Sequence, residues 1–169
     1  WHQVGVLANG DYADATLFQH DGKWWMYALN GTNSLHLFFS SKLYGPWQLH
    51  PASPIVESNK RISRPGGSVI KQKGGLYRVT QDGIPLYGSR VRMMKVNEID
   101  NNDYSEEESE NSPILKGSRK GWNAIGMHHI DAHLLENGTW VACVDGAKPN
   151  FKRAPVFNSI KTPTPHTTA

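Results

Sequence analysis

Asp14-Ala-Thr-Leu-Phe-Gln-His-Asp-Gly-Lys-Trp-Trp-Met-Tyr27 decides the fold. An apolar strand pattern runs into Asp21-Gly22, and a second strand rich in aromatics leaves it. Asp-Gly is a strong hairpin signal, because both residues tolerate the positive φ of a tight two-residue turn. The phrase returns twice, as Arg64-Pro-Gly-Gly-Ser-Val-Ile-Lys-Gln-Lys-Gly-Gly-Leu-Tyr-Arg-Val79 and as His129-Ile-Asp-Ala-His-Leu-Leu-Glu-Asn-Gly-Thr-Trp-Val-Ala142. Lys73-Gly-Gly-Leu76 and Glu136-Asn-Gly-Thr139 take the slot of His20-Asp-Gly-Lys23. Recurrence at such spacing is the mark of a repeat architecture.

The unit extends past the hairpin. Ser34–Ser40 reads as a third strand, and Trp47–His50, running out through Pro54-Ile-Val56, as a fourth. In the second copy the corresponding runs are Val91–Val96 and a segment from Tyr104 to Leu115, and Trp1–Leu7 matches the fourth element. Helical periodicity is nearly absent, and short apolar runs alternate with Gly, Asn, Asp and Pro, which is the all-β pattern. Four antiparallel strands per unit are the blade of a β-propeller, whereas a β-sandwich gives no reason for a hairpin phrase to repeat. The expectation is therefore an all-β, partial five-bladed-type propeller of about two and a half blades. Residues 1–10 are the last strand of a preceding blade, 11–57 and 61–116 are blades, and 122–146 are half a blade. Open edges at both ends would be exposed for pairing. Residues 147–169, with Thr162-Pro-Thr-Pro-His-Thr-Thr168, read as a disordered tail or linker.

Length, 169 residues, fits one domain. No apolar run approaches the 18 or so residues of a membrane span, no signal peptide is visible, and the Trp1 start suggests a trimmed piece of a longer protein. Net charge is +3, yet seven of the 15 acids fall between Glu98 and Glu110, where there is no Lys or Arg. That segment reads as a solvated acidic edge. The basic residues are scattered and form no nucleic-acid motif. Cys143 is the only cysteine, so no internal disulfide forms, and Trp140-Val-Ala-Cys-Val144 reads as a buried strand with a packed thiol. Asn30-Gly-Thr32 and Asn137-Gly-Thr139 are glycosylation sequons in turns. They lean toward a secretory-pathway lumen, and nothing else fixes localisation.

In a propeller the first strand of each blade lines the central channel, so polar residues at those strand starts are the candidate site. They are Asp11 and Asp14, then Arg61 and Arg64, then His128, His129 and Asp131, with Gln81-Asp82-Gly83 ending a second strand. Asp14 either accepts sugar hydroxyls or caps a turn. Arg64 presents a planar fork for carboxylate or phosphate, or pairs with a channel Asp. Gly66 and Gly67 would admit a ligand or another backbone. Adjacent His128 and His129 point to opposite faces of a strand, which argues against the convergent ligands of a metal site. The ligand-binding set is thus Asp14, Arg64, Gln81, Asp82 and His128, with no cofactor and no metal. Trp24, Trp25, Tyr27, Tyr77 and Trp140 read as core between blades.

Asp14–Trp25, Leu35-His-Leu-Phe38, Gly45-Pro-Trp-Gln-Leu-His-Pro51, Arg64-Pro-Gly-Gly67, Tyr77-Arg-x-x-Gln-Asp82 and Gly126-Met-His128 occur in the order seen in one family. Over residues 1–146 the chain resembles the N-terminal propeller domain of glucosamine inositolphosphorylceramide transferase-like proteins. That domain is similar in turn to the five-bladed propellers of family 43 glycoside hydrolases. The resemblance to the hydrolases implies an Asp base, an orienting Asp and a Glu acid on successive blades. Asp14 fits an Asp position, and would be the catalytic residue of a hydrolase. The next blade offers Arg64-Pro-Gly where the acid is expected, and Arg cannot donate a proton at neutral pH. The resemblance to the transferase-like proteins implies an accessory propeller beside a glycosyltransferase domain elsewhere in the parent chain. The expected function is binding of a carbohydrate or sugar-phosphate headgroup without catalysis by this chain alone. A family 43-like hydrolase and a protein-interaction propeller are the alternatives.

Overall fold

The computed structural model describes residues 1–72 and 75–149. Twelve strands and one short 3-10 turn make up the described regular structure. Strands β1 (Tyr12–His20), β2 (Lys23–Asn30), β3 (Leu35–Ser40) and β4 (Gln48–Leu49) form a four-stranded antiparallel sheet in that order. The β1–β2 turn closes at Asp21 and Gly22, with φ of 46° and 73°, as the Asp-Gly signal requires. A second sheet contains β5 (Arg64–Pro65), β6 (Ile70–Gln72), β7 (Gly75–Asp82), β8 (Arg90–Ile99), β9 (Tyr104–Glu108) and β10 (Leu115–Lys116). Here β5 and β6 both pair with β7, and β9 and β10 both pair with β8. The sheet is therefore four strands wide, with its first and last strands each broken in two. The third sheet is the hairpin β11 (Ile130–Leu134) and β12 (Trp140–Val144).

Packing follows from alternation along β2. Trp25 and Tyr27 face one way and join Phe18, Leu35, Leu37, Leu76 and Val96 in a buried cluster shared by the first two sheets. Met26 and Ala28 face the other way, under Leu7 and Ala8. Ile70, Val79 and Val91 pack against Ile130 and Ala132, joining the second sheet to the third. Three sheets in series, each interface apolar, is the arrangement that the repeats imply. The inter-sheet approach is close at Gly67, where an added Cβ would stand 1.7 Å from the Ile130 carbonyl oxygen. The Ile130 N–H donates to the Gly66 carbonyl at 2.9 Å. Each of these glycines lies against another backbone, Gly67 against Ile130 of β11 and Gly66 against Thr80 and Gln81 of β7.

Three expectations are corrected. Residues 1–10 form no strand, and Trp1, Val4 and Val6 are exposed, because no neighbouring strand is present among the described residues to take their backbone bonds. Cys143 and Trp140 are exposed rather than packed, since β11 alone pairs with β12 and no third strand covers the hairpin. The acidic run is not simply solvated: Glu106 is buried against Arg78, and Glu108 is bonded to Arg92 at 2.6 Å. The expected tail falls mostly on residues 150–169, outside the described residues. Among the described residues no helix is long and apolar enough to cross a membrane.

Candidate functional site

The first strand starts converge on a cleft of about 300 Å³. The first sheet contributes Asp14, the second Gln81, and the third His129 and Asp131. Asp14 reaches it through a break in strand register. Ala13 pairs with Leu29 but Thr16 pairs with Tyr27, so β1 carries one extra residue at Asp14-Ala15. Such a bulge bends the strand and re-aims a side chain. Asp14 itself has φ 52°, a left-handed conformation uncommon for any residue with a Cβ. The bulge turns its carboxylate to Arg64, whose Nε donates to Oδ2 at 2.5 Å across the gap between sheets.

Gln81 is 94% buried and bonded on one side only. Its Nε2 donates to the Pro65 carbonyl at 2.9 Å, and its Oε1 has no partner. A buried acceptor without a donor costs about 1–3 kcal/mol, and both this oxygen and Asp131 Oδ1 lie beside the cleft without a hydrogen-bond partner. Asp131 stands 3.2 Å from His133 Nε2. A hydrogen bond from Ser68 and the nearby His133 hold its carboxyl below the usual range. The cleft is thus rich in acceptors: two carboxylates and one amide oxygen.

The other expected site residues lie apart from this wall. Arg64 lines a second, adjoining cavity of about 230 Å³ with Lys60, Ser63 and Tyr87, and Gln81 forms the wall common to both. Its guanidinium stacks over the Tyr87 ring, 5.2 Å from the centroid. His128 turns away. Its Nδ1 contacts the Asp145 carboxylate and its ring stands edge-on to Tyr87 in a separate small cavity. Asp82 is fully buried and lines neither of the first two cavities. It bonds Arg92 at 2.8 Å, has Arg61 at 3.6 Å and Arg90 at 3.9 Å, and accepts from the Ile84 N–H. Its carboxylate serves the scaffold, because three guanidiniums already surround it. Asp11 lines neither cavity.

Tyr87 was not among the residues singled out from sequence. Its signal was available in Gly83-Ile-Pro-Leu-Tyr-Gly88, a turn-rich loop directly after Gln81-Asp82. Among the described residues, one group of carboxylates could gather a cation, Glu98, Asp100 and Asp103, all exposed and on the second sheet's edge rather than in the cleft.

A family model described as glucosamine inositolphosphorylceramide transferase 1, N-terminal, matches residues 1–147. The chain belongs to that family. Glucosamine inositolphosphorylceramide transferase 1 from Oryza sativa subsp. japonica is 34% identical over 160 residues, and the protein of that name from Arabidopsis thaliana is 32% identical over 157. Each match covers 86% of this chain, which spans about a fifth of either relative, 21% and 20%. A thermostable family-43 glycoside hydrolase of known crystal structure aligns with a TM-score of 0.50 at 12% identity, over 78% of this chain and 40% of that one. That likeness concerns fold alone. It agrees with the propeller-like stacking of sheets in this chain.

Proposed function

We propose that this chain is part of a five-bladed-type propeller whose cleft binds carbohydrate, as an accessory to a glycosyltransferase domain and without catalysis of its own. The observation that carries the reading is the unpartnered Oε1 of buried Gln81, on a cleft wall shared with Asp14 and Asp131. Sugar hydroxyls are donors arranged in pairs, and an acceptor-rich cleft of this size is suited to them. The accessory role is carried over from the relatives, which bear a transferase name and are about five times as long as the match.

The test is a saturable shift in protein NMR signals on titration with a panel of mono- and disaccharides. Gln81→Leu should weaken any binding by about tenfold, the effect of losing one buried hydrogen bond of roughly 1.4 kcal/mol. A blank panel, or affinity unmoved by Gln81→Leu, would sink the proposal.

A second reading, hydrolysis of the family 43 type, is favoured by one observation: Asp14 and Asp131 line the same cleft. An inverting pair needs one carboxyl kept protonated as the acid. Asp131 is pushed the other way by Ser68 and His133, and Asp14 is salt-bridged to Arg64. Neither is placed to give up a proton. Release of aryl alcohol from an aryl-glycoside panel, lost in both Asp14→Asn and Asp131→Asn, would restore the hydrolase.

A further inference from the structure

We infer that the adjoining cavity under Tyr87 is an anion subsite that takes the phosphate of a phosphorylated sugar whose ring lies in the Gln81 cleft. The inference rests on the carbohydrate reading for the ring, and on separate observations for the phosphate.

The cavity walls carry two cations, Lys60 and Arg64, and no carboxylate. Lys60 is exposed and has no acidic partner among the described residues. Arg64 uses Nε on Asp14, and its two terminal nitrogens make no hydrogen bond among the described residues. Gly83 in the same wall directly follows Asp82, the carboxylate that Arg61, Arg90 and Arg92 share. One carboxylate cannot neutralise three guanidiniums. Arg92 takes the close contact, and the side chains of Arg61 and Arg90 remain 49% and 37% exposed. Glu108 and Asp14 each offset one further cation. The five cations of this corner, counting Lys60, therefore exceed its three acids by two.

Positive charge in a concave wall attracts oxyanions, and a guanidinium with two idle nitrogens presents the fork that phosphate accepts. Tyr87 lies under the Arg64 guanidinium and lines the same cavity. Gln81 is the only polar side chain that borders both spaces, so a ligand crossing it would place hydroxyls on one side and its phosphate on the other.

The experiment titrates the chain with inorganic phosphate, glucose and glucose 1-phosphate, observed by NMR, and repeats each in Lys60→Gln. Lys60 is exposed, so its replacement leaves the fold intact. Phosphate should shift the amides of Ser63, Arg64 and Tyr87, and Lys60→Gln should weaken that response. Glucose 1-phosphate should bind about tenfold or more tightly than glucose, the increment of one charge-assisted contact, and the difference should shrink in Lys60→Gln, which leaves Arg64 in place. A parallel flotation with phosphatidylcholine vesicles, with and without phosphatidylinositol, separates a lipid-borne phosphate from a soluble one. Binding in either arm that depends on Lys60 supports the subsite. Phosphate shifts elsewhere, shifts indifferent to Lys60→Gln, or no response in any arm would overturn it. Phosphate seated at Arg64 while no sugar perturbs the Gln81 cleft would leave the subsite standing and end the carbohydrate reading.

Discussion

Asp14 holds a left-handed conformation at the bulge in β1, which costs a side-chain-bearing residue about 1–2 kcal/mol relative to glycine. Strain at a cleft wall is retained when the side chain there has work that glycine could not do. Asp14→Gly relieves the strain and removes a half-exposed ion pair worth about 0–1 kcal/mol, so the two effects nearly cancel. The melting temperature should therefore move by only a few degrees, while carbohydrate affinity falls by about tenfold or more. A large drop in melting temperature would instead make Asp14 a folding residue. Asp131 gives a pH test. A carboxyl depressed in the folded state contributes stability above its unfolded value, near 4, and loses it as pH falls through the folded value. Binding through the ionised carboxylate should hold from neutrality to about pH 4 and fail only below that. Ser68→Ala, by removing the main cause, should shift the failure upward, as read by affinity across a pH series.

At the scale of elements, the sheet-to-sheet contact at Gly67 is the sharpest constraint. A Cβ there would overlap the Ile130 carbonyl, and its φ of 147° already disfavours any other residue. Gly67→Ala should destabilise the chain by about 3 kcal/mol, measured by urea denaturation, and should loosen β11–β12 before the first sheet. Unchanged stability would mean that the third sheet is not docked on the second. The Asp21-Gly22 hairpin turn and the alternation of β2 were legible in the sequence because each is set by local chemistry: positive φ at the turn, period two at Trp25 and Tyr27; the second copy's turn at residues 73–74 lies outside the described residues. The bulge at Asp14 was not, since it is a relation between two strands that Ala13-Asp14-Ala15 does not encode by itself. Trp140 and Cys143 read correctly as strand and wrongly as core for a related reason. Their burial depends on a covering neighbour, and β12 has only β11. In the cleft, Asp14 leads the first copy of the repeat and Gln81 ends a second strand, the two kinds of place from which the sequence drew its candidates. Asp82 and His128 lie outside that cleft because Arg61, Arg90, Arg92 and Asp145 hold them, through contacts between elements that the local sequence does not encode.

Over the whole molecule, charge is sorted by burial rather than by sequence. The acidic run gives Glu106 to the interior and Glu108 to Arg92, and the Lys60–Arg64 corner keeps two more cations than acids. Arg78 is the centre of this sorting. It is fully buried, bonds both carboxylate oxygens of Glu106 and the Ile62 carbonyl, and lies over the Tyr27 ring of the first sheet. Tyr27 and Tyr104 share a hydrogen bond at 3.1 Å, and Tyr104 donates to Glu106 at 2.6 Å. Burial opposes the charge on Arg78, but Glu106 more than restores it, and the guanidinium stays protonated. Burial raises both tyrosines, so their hydroxyls remain donors at any pH the fold survives. Removing one partner of such a pair strands the other charge in the interior, which costs about 3–5 kcal/mol. Arg78→Met and Glu106→Gln should each cost about that much in denaturant unfolding, whereas the double substitution should cost far less than the sum, because no lone charge remains. Additive losses would show that the two residues act separately. In that case each would contribute through its own neighbours, Arg78 through Tyr27 and the Ile62 carbonyl and Glu106 through Tyr104, rather than through the pair.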